Sequence, residues 1–215
     1  MPYAVKEVYA TLQGEGARAG RRAVLCRMAG CNLWSGREED RERAICRFCD
    51  TDFVGTDGPG GGRFAAAEDL AARIRAVWDE GLAPGARPGR GYVVFTGGEP
   101  LLQLDRALVD ACHARGFEVA VETNGTVAPP SGIDWLTVSP KAGAELVVSC
   151  GDELKLVYPQ GLEPAELEHL DFRLFYLQPM DGPEREANTA RALAYCRSHP
   201  LWRLSLQTHK LLGIA

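Results

Sequence analysis

The sequence predicts a protein of the α/β class, in which an incomplete barrel or sheet of parallel strands carries only a few helices. Short apolar runs rich in β-branched or aromatic residues recur along the chain, and helical patterns separate some of them. The runs are continuously apolar rather than alternating, which suits parallel strands buried on both faces. The predicted strands are residues 23–28, 92–96, 117–122, 135–139, 153–158, 173–178 and 202–207.

Helical patterns are fewer than the strands that they would connect. Apolar residues at helical spacing occur in 65–81, 101–116 and 184–199. The connections 123–134 and 140–152 are too short, or too rich in proline and glycine, for a full helix. The βα alternation is therefore predicted to be incomplete. The glycine-rich segment 56–64 is predicted to be a loop.

Composition limits both the domain organisation and the partners. A chain of 215 residues suits one substantial core, and we expect a single domain over residues 1–215. The formal net charge of −5, without a basic block, argues against nucleic acid as the main partner. The sequence shows no secretory signal and no apolar run of about 18 residues. We therefore expect a cytoplasmic protein that acts on a small molecule away from the membrane.

Polar or glycine-rich clusters follow five of the predicted strands. In parallel βα architectures the carboxyl ends of the strands meet at one rim, where active sites form. Any one cluster could simply mark a turn, but five together predict a single large site. The clusters are TGGEP at 96–100, ETNG at 122–125, SPK at 139–141, QPMD at 178–181 and QTHK at 207–210.

Cys31 and the close pair Cys46 and Cys49 form the most informative motif. Three thiolates can hold a tetrahedral zinc ion with one open position, or three irons of a cubane cluster whose fourth iron is open. The histidines show no ligand spacing, and no fourth ligand lies near the pair in sequence, so an iron–sulfur cluster is favoured. A non-catalytic zinc-binding interaction module stays as the alternative.

The chain has seven cysteines in all, an odd number that argues against a disulfide framework in a reducing compartment. Free cysteine outside a metal site usually behaves as a small, buried hydrophobic residue. We expect this of the four that remain, which are Cys26, Cys112, Cys150 and Cys196.

These motifs resemble those of the radical S-adenosylmethionine (SAM) enzymes. That superfamily usually spaces its three cysteines C-x3-C-x2-C with an aromatic residue before the last, where Phe48 stands here. The fourteen residues between Cys31 and Cys46 depart from this spacing. They resemble the insertion of one branch, the bacterial 7-carboxy-7-deazaguanine synthases of queuosine biosynthesis. TLQGEG at 11–16, CDT at 49–51 and QTHKLLGIA at 207–215 are also similar to that branch.

The resemblance implies a fold, a set of cofactors and a reaction. The fold would be a partial TIM-like βα barrel of the radical SAM type with few helices. The cofactors would be a 4Fe-4S cluster on Cys31, Cys46 and Cys49, together with SAM and Mg2+. The reaction would be a radical-mediated ring contraction of 6-carboxy-5,6,7,8-tetrahydropterin with release of ammonia, a lyase reaction. No catalytic side chain would be needed beyond the cluster and SAM.

The resemblance also implies the residues that bind SAM. Gly98, in the turn after its strand, would let the backbone approach the methionine amino group, since glycine has no Cβ atom. Other residues would contact the ribose, the adenine or the carboxylate. The full set is Phe48, Cys49, Asp50, Gly98, Glu99, Asn124, Ser139, Pro140, Lys141, Gln178, Pro179, Met180 and Asp181.

The implied substrate is an anionic bicycle whose other edge is rich in N–H donors. Arg27 would take its carboxylate in a bidentate pair, and the Thr51 hydroxyl would ligate Mg2+. The α-carboxylate of Ala215, helped by His209, would accept from the N–H edge. The implied substrate-binding set is Leu12, Gln13, Gly14, Glu15, Arg27, Thr96, His209 and Ala215.

The resemblance further implies macromolecular partners. A radical SAM enzyme needs an electron donor such as flavodoxin or ferredoxin, and we expect a homodimer. The alternative enzyme is a radical SAM activase that makes a glycyl radical on a partner protein. It would need a protein-docking face rather than a pterin pocket.

Overall fold

The computed structural model describes residues 2–86 and 89–214. Nine strands form one mixed sheet in the described part of the chain, and they are named in chain order. They are β1 Tyr3–Leu12, β2 Arg22–Met28, β3 Gly62–Phe64, β4 Gly91–Gly97, β5 Phe117–Thr123, β6 Trp135–Val138, β7 Cys150–Tyr158, β8 Asp171–Pro179 and β9 Trp202–Leu204.

Helices are few, as the sequence predicts. The α-helices are α1 Ala67–Glu80, α2 Arg106–Ala114, α3 Arg185–Ser198 and α4 Thr208–Leu212. The connections from β5 through β8 contain no α-helix, in agreement with their proline and glycine content. None of the helices in the described ranges is long and apolar enough to cross a membrane.

The sheet is open, with the strand order β3-β1-β2-β4-β5-β6-β7-β8-β9. The strands from β2 through β4 to β9 run parallel, while β1 and β3 are antiparallel at one edge. The expected partial βα barrel with few helices is thereby confirmed. Because parallel strands point the same way, the ends of β2, β4, β5 and β6 lie at one rim: Met28 pairs with Gly97, and Thr123 pairs with Val138.

Two edge strands were not predicted. β1 has a largely alternating pattern of burial, because only one face of this antiparallel strand is covered, and a search for continuous apolar runs does not find it. β3 lies in segment 56–64, where a loop was expected, and it pairs with β1 through Val5 and Gly62. The last strand is shorter than predicted: it ends at Leu204, and α4 begins at Thr208.

Helices cover one face of the sheet in two separate apolar clusters. Ile74 of α1 and Leu108 of α2 are fully buried in a cluster with β1, β2, β4 and β5. Ala192 of α3 packs in a second cluster with Leu177 and Trp202. The inner face of the sheet, away from these helices, carries the polar residues described below.

The two edges of the open sheet approach each other through their connecting segments. The backbone N–H of Gly16, after β1, donates to Oγ of Ser205, after β9, at 3.0 Å. At the start of α4, the N–H of Thr208 donates to the carbonyl of Gly14 at 2.9 Å. A Cβ atom at Gly14 would lie 2.1 Å from Nδ1 of His209, so any larger residue would displace the His209 side chain.

The cysteines outside the motif differ in environment. Cys26 and Cys112 are fully buried in the first apolar cluster, as expected. The expectation is wrong for Cys150, which is exposed at the start of β7, and Cys196 of α3 is only half-buried. Both lie at the margin of the second cluster, where β7 begins and where α3 turns towards solvent.

Leucine truncation on two helices tests which helix faces support the sheet. Leu108→Ala on α2 removes a fully buried side chain and should lower the free energy of unfolding by about 2–5 kcal/mol. Leu193→Ala on α3 is the matched control, because Leu193 is 46% exposed. Thermal unfolding followed by circular dichroism should show a midpoint lower by roughly 5–15 °C for the first variant alone. Equal shifts would contradict the assigned burial.

Candidate active site

One cavity of about 390 Å3 opens at the carboxyl ends of the strands. Each of the five polar clusters contributes to its wall, so the structure brings together what the sequence spreads over more than a hundred residues. Most of the predicted ligands line it: Leu12, Gln13, Gly14, Glu15, Arg27, Phe48, Cys49, Asp50, Thr51, Thr96, Gly98, Asn124, Ser139, Lys141, Gln178, Pro179, Met180, Asp181 and His209.

The three motif cysteines lie together on one side of this cavity. Cys31 follows β2, and its thiol accepts from the N–H of Leu33 at 3.4 Å. The thiol of Cys46 hydrogen-bonds that of Cys49, which lowers the pKa of Cys49 to about 6 and raises that of Cys46. Burial raises the pKa of Cys31. The close pair can therefore share one proton, which favours a thiolate at this end of the motif, and thiolates are the form that binds metal.

The three cysteines supply a donor set that a cubane cluster can use. The described residues contain no group of three or more His, Cys, Asp or Glu side chains placed to hold one metal ion. In a cubane each thiolate binds a separate iron, whereas a structural zinc site takes four protein ligands on one centre. The three thiols present fit a cluster whose fourth iron is open.

The long insertion between the cysteines braces the close pair. The guanidinium of Arg41 stacks 4.0 Å from the ring of Trp34. Its Nη1 atom donates to the carbonyl oxygens of Arg47 at 2.8 Å and Cys49 at 3.0 Å. Trp34 in turn meets the ring of Phe53 edge-on, with centroids 5.6 Å apart. The insertion thereby fixes the backbone that carries Cys49, a role not expected for Arg41.

The glycine turn after β4 packs directly on the turn that carries Cys31. A Cβ atom at Gly98 would lie 2.1 Å from the carbonyl oxygen of Gly30 and 2.8 Å from Cβ of Cys31. The N–H of Glu99 donates to the same Gly30 carbonyl at 2.9 Å. Glycine is required here because the two backbone turns touch, and a side chain would collide with Gly30 and Cys31.

Two of the predicted SAM ligands do not line the main cavity. The carboxylate of Glu99 accepts from the N–H of Leu101 at 2.9 Å, the hydroxyl of Thr123 at 2.8 Å and the N–H of Asn124 at 2.7 Å. It is fully buried, so its role is to join turns rather than to meet a ligand. Pro140 faces a smaller neighbouring cavity instead.

Lys141 and Asn124 stand on the wall beside the cysteines. The Lys141 ammonium donates to the carbonyl and hydroxyl oxygens of Ser139, at 2.6 Å each, and burial lowers its pKa. Asn124 donates from Nδ2 to Oδ1 of Asn32 at 3.0 Å. These polar side chains are already oriented by protein partners, so a ligand would meet them without large rearrangement.

Another part of the wall is formed by β1 and β2. Nε of Arg27 donates to the Glu7 carboxylate at 2.7 Å, and Nη2 contacts the Tyr9 hydroxyl at 3.4 Å. Lys6 holds the loop that follows Thr51, through Asp52 at 2.9 Å and Asp57 at 2.8 Å. Of these partners, the sequence singled out only Arg27 and Thr51, since β1 itself was not predicted.

The floor of the cavity carries an ion-pair cluster in which Glu15 was predicted but Lys155 was not. Lys155, inside β7, pairs with Glu15 and lies 3.4 Å from the Glu122 carboxylate. Burial alone would raise the pKa of Glu15, but Lys155 and hydrogen bonds from Gln207 and Gln178 lower it to about 2. A lysine in the middle of the apolar run ELKLVY is itself a signal, because a buried lysine needs acidic partners.

The mouth of the cavity is closed on one side by α4. Lys210 pairs with Asp50 at 2.5 Å and with Asp181 at 2.6 Å, so two predicted SAM ligands share one ammonium. Gln207 also reaches Asp50, at 3.3 Å. Asp50 is thereby linked to the helix that carries His209. Ala215 lies outside the described residues.

Comparison with known proteins gives relatives of the same length. The chain is 65% identical to the 7-carboxy-7-deazaguanine synthase of Bradyrhizobium diazoefficiens and 62% identical to that of Caulobacter vibrioides, covering 100% of each chain. Among solved structures it resembles "Crystal structure of QueE from Escherichia coli" with a TM-score of 0.70 and 28% identity, covering 97% of this chain and 95% of that one.

A sequence profile of the Radical SAM superfamily matches residues 42–202, which is most of the chain. This range includes Cys46 and Cys49, the glycine turn after β4 and all later strands that form the cavity. The fold, an open parallel sheet with few helices, agrees with the structural neighbour. The profile match, the full-length relatives and the three cysteines on one cavity wall show that this chain belongs to the radical SAM superfamily.

Proposed function

We propose that this chain is a 7-carboxy-7-deazaguanine synthase. It would convert 6-carboxy-5,6,7,8-tetrahydropterin to 7-carboxy-7-deazaguanine with release of ammonia, a step of queuosine biosynthesis. The observation that carries the proposal is a cavity with three cysteines on one side, and Arg27 and an acidic floor within reach. The full-length relatives support the same activity.

The side with the cysteines holds the cofactors in this proposal. When bound, a 4Fe-4S cluster supplies the electron that cleaves SAM to methionine and the 5′-deoxyadenosyl radical. Cys31, Cys46 and Cys49 hold the cluster. Gly98 lines the cavity beside Cys31 and meets the methionine end of SAM through its backbone. The adenosine meets the remaining SAM-binding residues, which are Phe48, Asp50, Asn124, Ser139, Lys141, Gln178, Pro179, Met180 and Asp181. Glu99 acts indirectly, because it orients Asn124.

The rest of the cavity binds and orients the pterin. The guanidinium of Arg27 binds the carboxylate of the pterin. Glu7 orients that guanidinium by accepting a hydrogen bond from its Nε atom. Gln13, Glu15 and Thr96 present acceptors to the N–H edge, and His209 stands over Gly14 at the same end. The Thr51 hydroxyl is the proposed Mg2+ ligand, beside the loop that Lys6 holds.

Three further properties belong to the proposal. The reductant would be a one-electron donor such as flavodoxin or ferredoxin, because cleavage of SAM needs one electron. We propose a homodimer and a cytoplasmic location. The experiment that tests the activity is anaerobic turnover with pterin, SAM and reductant, followed by mass spectrometry. Absence of the deazaguanine from a cluster-loaded sample would overturn the proposal.

The cysteine assignment predicts a visible phenotype. Cys31→Ala, Cys46→Ala and Cys49→Ala should each abolish turnover and the broad visible absorbance, because a cubane cannot spare one of three protein thiolates. Cys112→Ala and Cys150→Ala are matched controls away from the cavity and should stay brown and active. Iron and sulfide analysis of anaerobic samples provides the measurement. A brown Cys31→Ala protein would show that the ligands are misassigned.

Loss of the Thr51 hydroxyl should weaken the dependence of turnover on Mg2+ without loss of the cluster. Thr51→Ala should lower turnover by roughly 10- to 100-fold and weaken its dependence on Mg2+, with cluster content near normal, because only one oxygen ligand is removed. Turnover measured against Mg2+ concentration gives the result. Thr189→Ala on α3, far from the cavity, is the control and should keep the full response. An unchanged Mg2+ response in Thr51→Ala would reject the role.

Replacement of Arg27 should change the KM for the pterin but not the KM for SAM. Arg27→Lys keeps the charge but loses the planar fork, so the KM for the pterin should rise by about tenfold while the KM for SAM stays the same. Steady-state kinetics with each substrate varied in turn measures both constants. Arg75→Lys, on the surface of α1, should change neither. Equal changes in both constants would argue for general damage to the site.

A further inference from the structure

The charge of the cavity floor is unusual for a buried region. The Lys155 side chain is 5% exposed, and those of Glu15 and Glu122 are 14% and 24% exposed. One ammonium therefore serves two carboxylates, and the group as a whole keeps one negative charge. A buried surplus carboxylate is costly unless hydrogen-bond donors satisfy it.

The protein supplies only part of those donors. One oxygen of Glu122 accepts from Nε2 of Gln13 at 3.1 Å and lies 3.4 Å from Lys155. Its other oxygen has a long contact of 3.4 Å with the Thr96 hydroxyl. A carboxylate has about four acceptor sites, so acceptor capacity remains on the cavity side of this group. A ligand edge with several N–H donors would complement this acceptor capacity.

We propose that Lys155 is a positioning residue for the pterin: its ammonium holds the Glu15 and Glu122 carboxylates side by side on the floor, so that together they accept from the N–H edge. This inference rests on the proposed function and deepens it. Lys155 lines the cavity, yet its ammonium is already directed to the two carboxylates. Its contribution is therefore to fix the spacing and charge of the acceptors.

The surroundings support this role. Burial alone would lower the pKa of Lys155, but Glu122, Glu15 and Glu153 raise it above its ordinary value, so the ammonium stays charged. The three carboxylates come from different segments: Glu15 follows β1, Glu122 lies in β5 and Glu153 in β7. The charged groups that act on Lys155 or feel its charge are thus Glu15, Glu122, Glu153 and Lys141.

Replacement of the lysine tests the proposal in the cluster-loaded enzyme. Lys155→Met should raise the KM for the pterin by about tenfold or more, while the KM for SAM shifts by less than twofold. Without the ammonium, burial and like charge should raise the pKa of Glu15 towards neutrality. The pterin KM of the variant should therefore fall as the pH rises through about 6 to 8, whereas in the parent enzyme Glu15 is ionised throughout that range.

Glu153→Gln is the matched control. Glu153 lies on the same strand two residues earlier, and its carboxylate accepts from the N–H of Ala17 at 2.9 Å without lining the cavity. It should leave the pterin KM within about twofold, because Lys155 keeps its direct contacts with Glu15 and Glu122, and those two remain the acceptors that line the cavity. An equal rise in both variants would mean that β7 is merely structural and would overturn the proposal.

A double-mutant cycle keeps the test valid if Lys155→Met folds poorly. Glu15→Gln together with Lys155→Met removes both members of a buried pair, which is tolerated better than removing one. In the Glu15→Gln background, Lys155→Met should raise the pterin dissociation constant far less than in the parent, because the two residues act as a unit. Anaerobic calorimetry with SAM bound measures these constants. Strictly additive effects would overturn the proposal.

The proposed activity and the proposed role of Lys155 can be tested separately. If the parent enzyme binds the pterin but does not convert it, the proposed function is wrong, and the calorimetric cycle still decides the role of Lys155. If the parent enzyme turns the pterin over and Lys155→Met has the parent KM at every pH, the proposed function stands and the role of Lys155 is wrong.

Discussion

The site depends on one buried carboxylate. Glu99 lies in the turn after β4, where water cannot reach it, and an ionised carboxylate there is stable only if the protein satisfies it. Burial raises its pKa above the ordinary value, and hydrogen bonds from Asn124, Leu101 and Thr123 offset this only in part. Its own N–H reaches Gly30, beside Cys31. Through this one residue the rims of β2, β4 and β5 are held together, and the cysteine turn, the glycine turn and Asn124 become parts of one wall.

Ion pairs between different chain segments line the cavity. Three ion pairs on the wall join side chains from different segments: Lys155 with Glu15, Lys210 with Asp181, and Arg27 with Glu7. Pairs of this kind orient side chains before a ligand arrives, so less conformational entropy is lost on binding. The thiol side and the acidic floor lie on different parts of the wall. This separation suits two ligands of different chemistry that must meet in one cavity.

The openness of the sheet also has a physical consequence. A closed barrel would satisfy its edges by pairing, whereas here β1 and β3 cap one edge and α4 is seated on the turn after β1. The contact of His209 with Gly14 joins the beginning of the chain to its last helix. The cavity is therefore bounded by connecting segments as well as strands, and Lys210 ties that last helix to Asp50 in the cysteine loop.

Local sequence patterns were sufficient to predict the parallel strands, the rim turns and the cysteine motif. Continuous apolar runs located the parallel strands from β2 onwards, and the turns after them marked the rim, because glycine and polar residues are needed there. The spacing of Cys31, Cys46 and Cys49 indicated the cluster. Only the tertiary structure decided which distant residues meet: that Glu99 joins turns instead of facing a ligand, that Cys150 is exposed, and that Lys155 neutralises part of an acidic floor. Such pairings depend on strand order and on side-chain direction across the sheet, which no local pattern encodes.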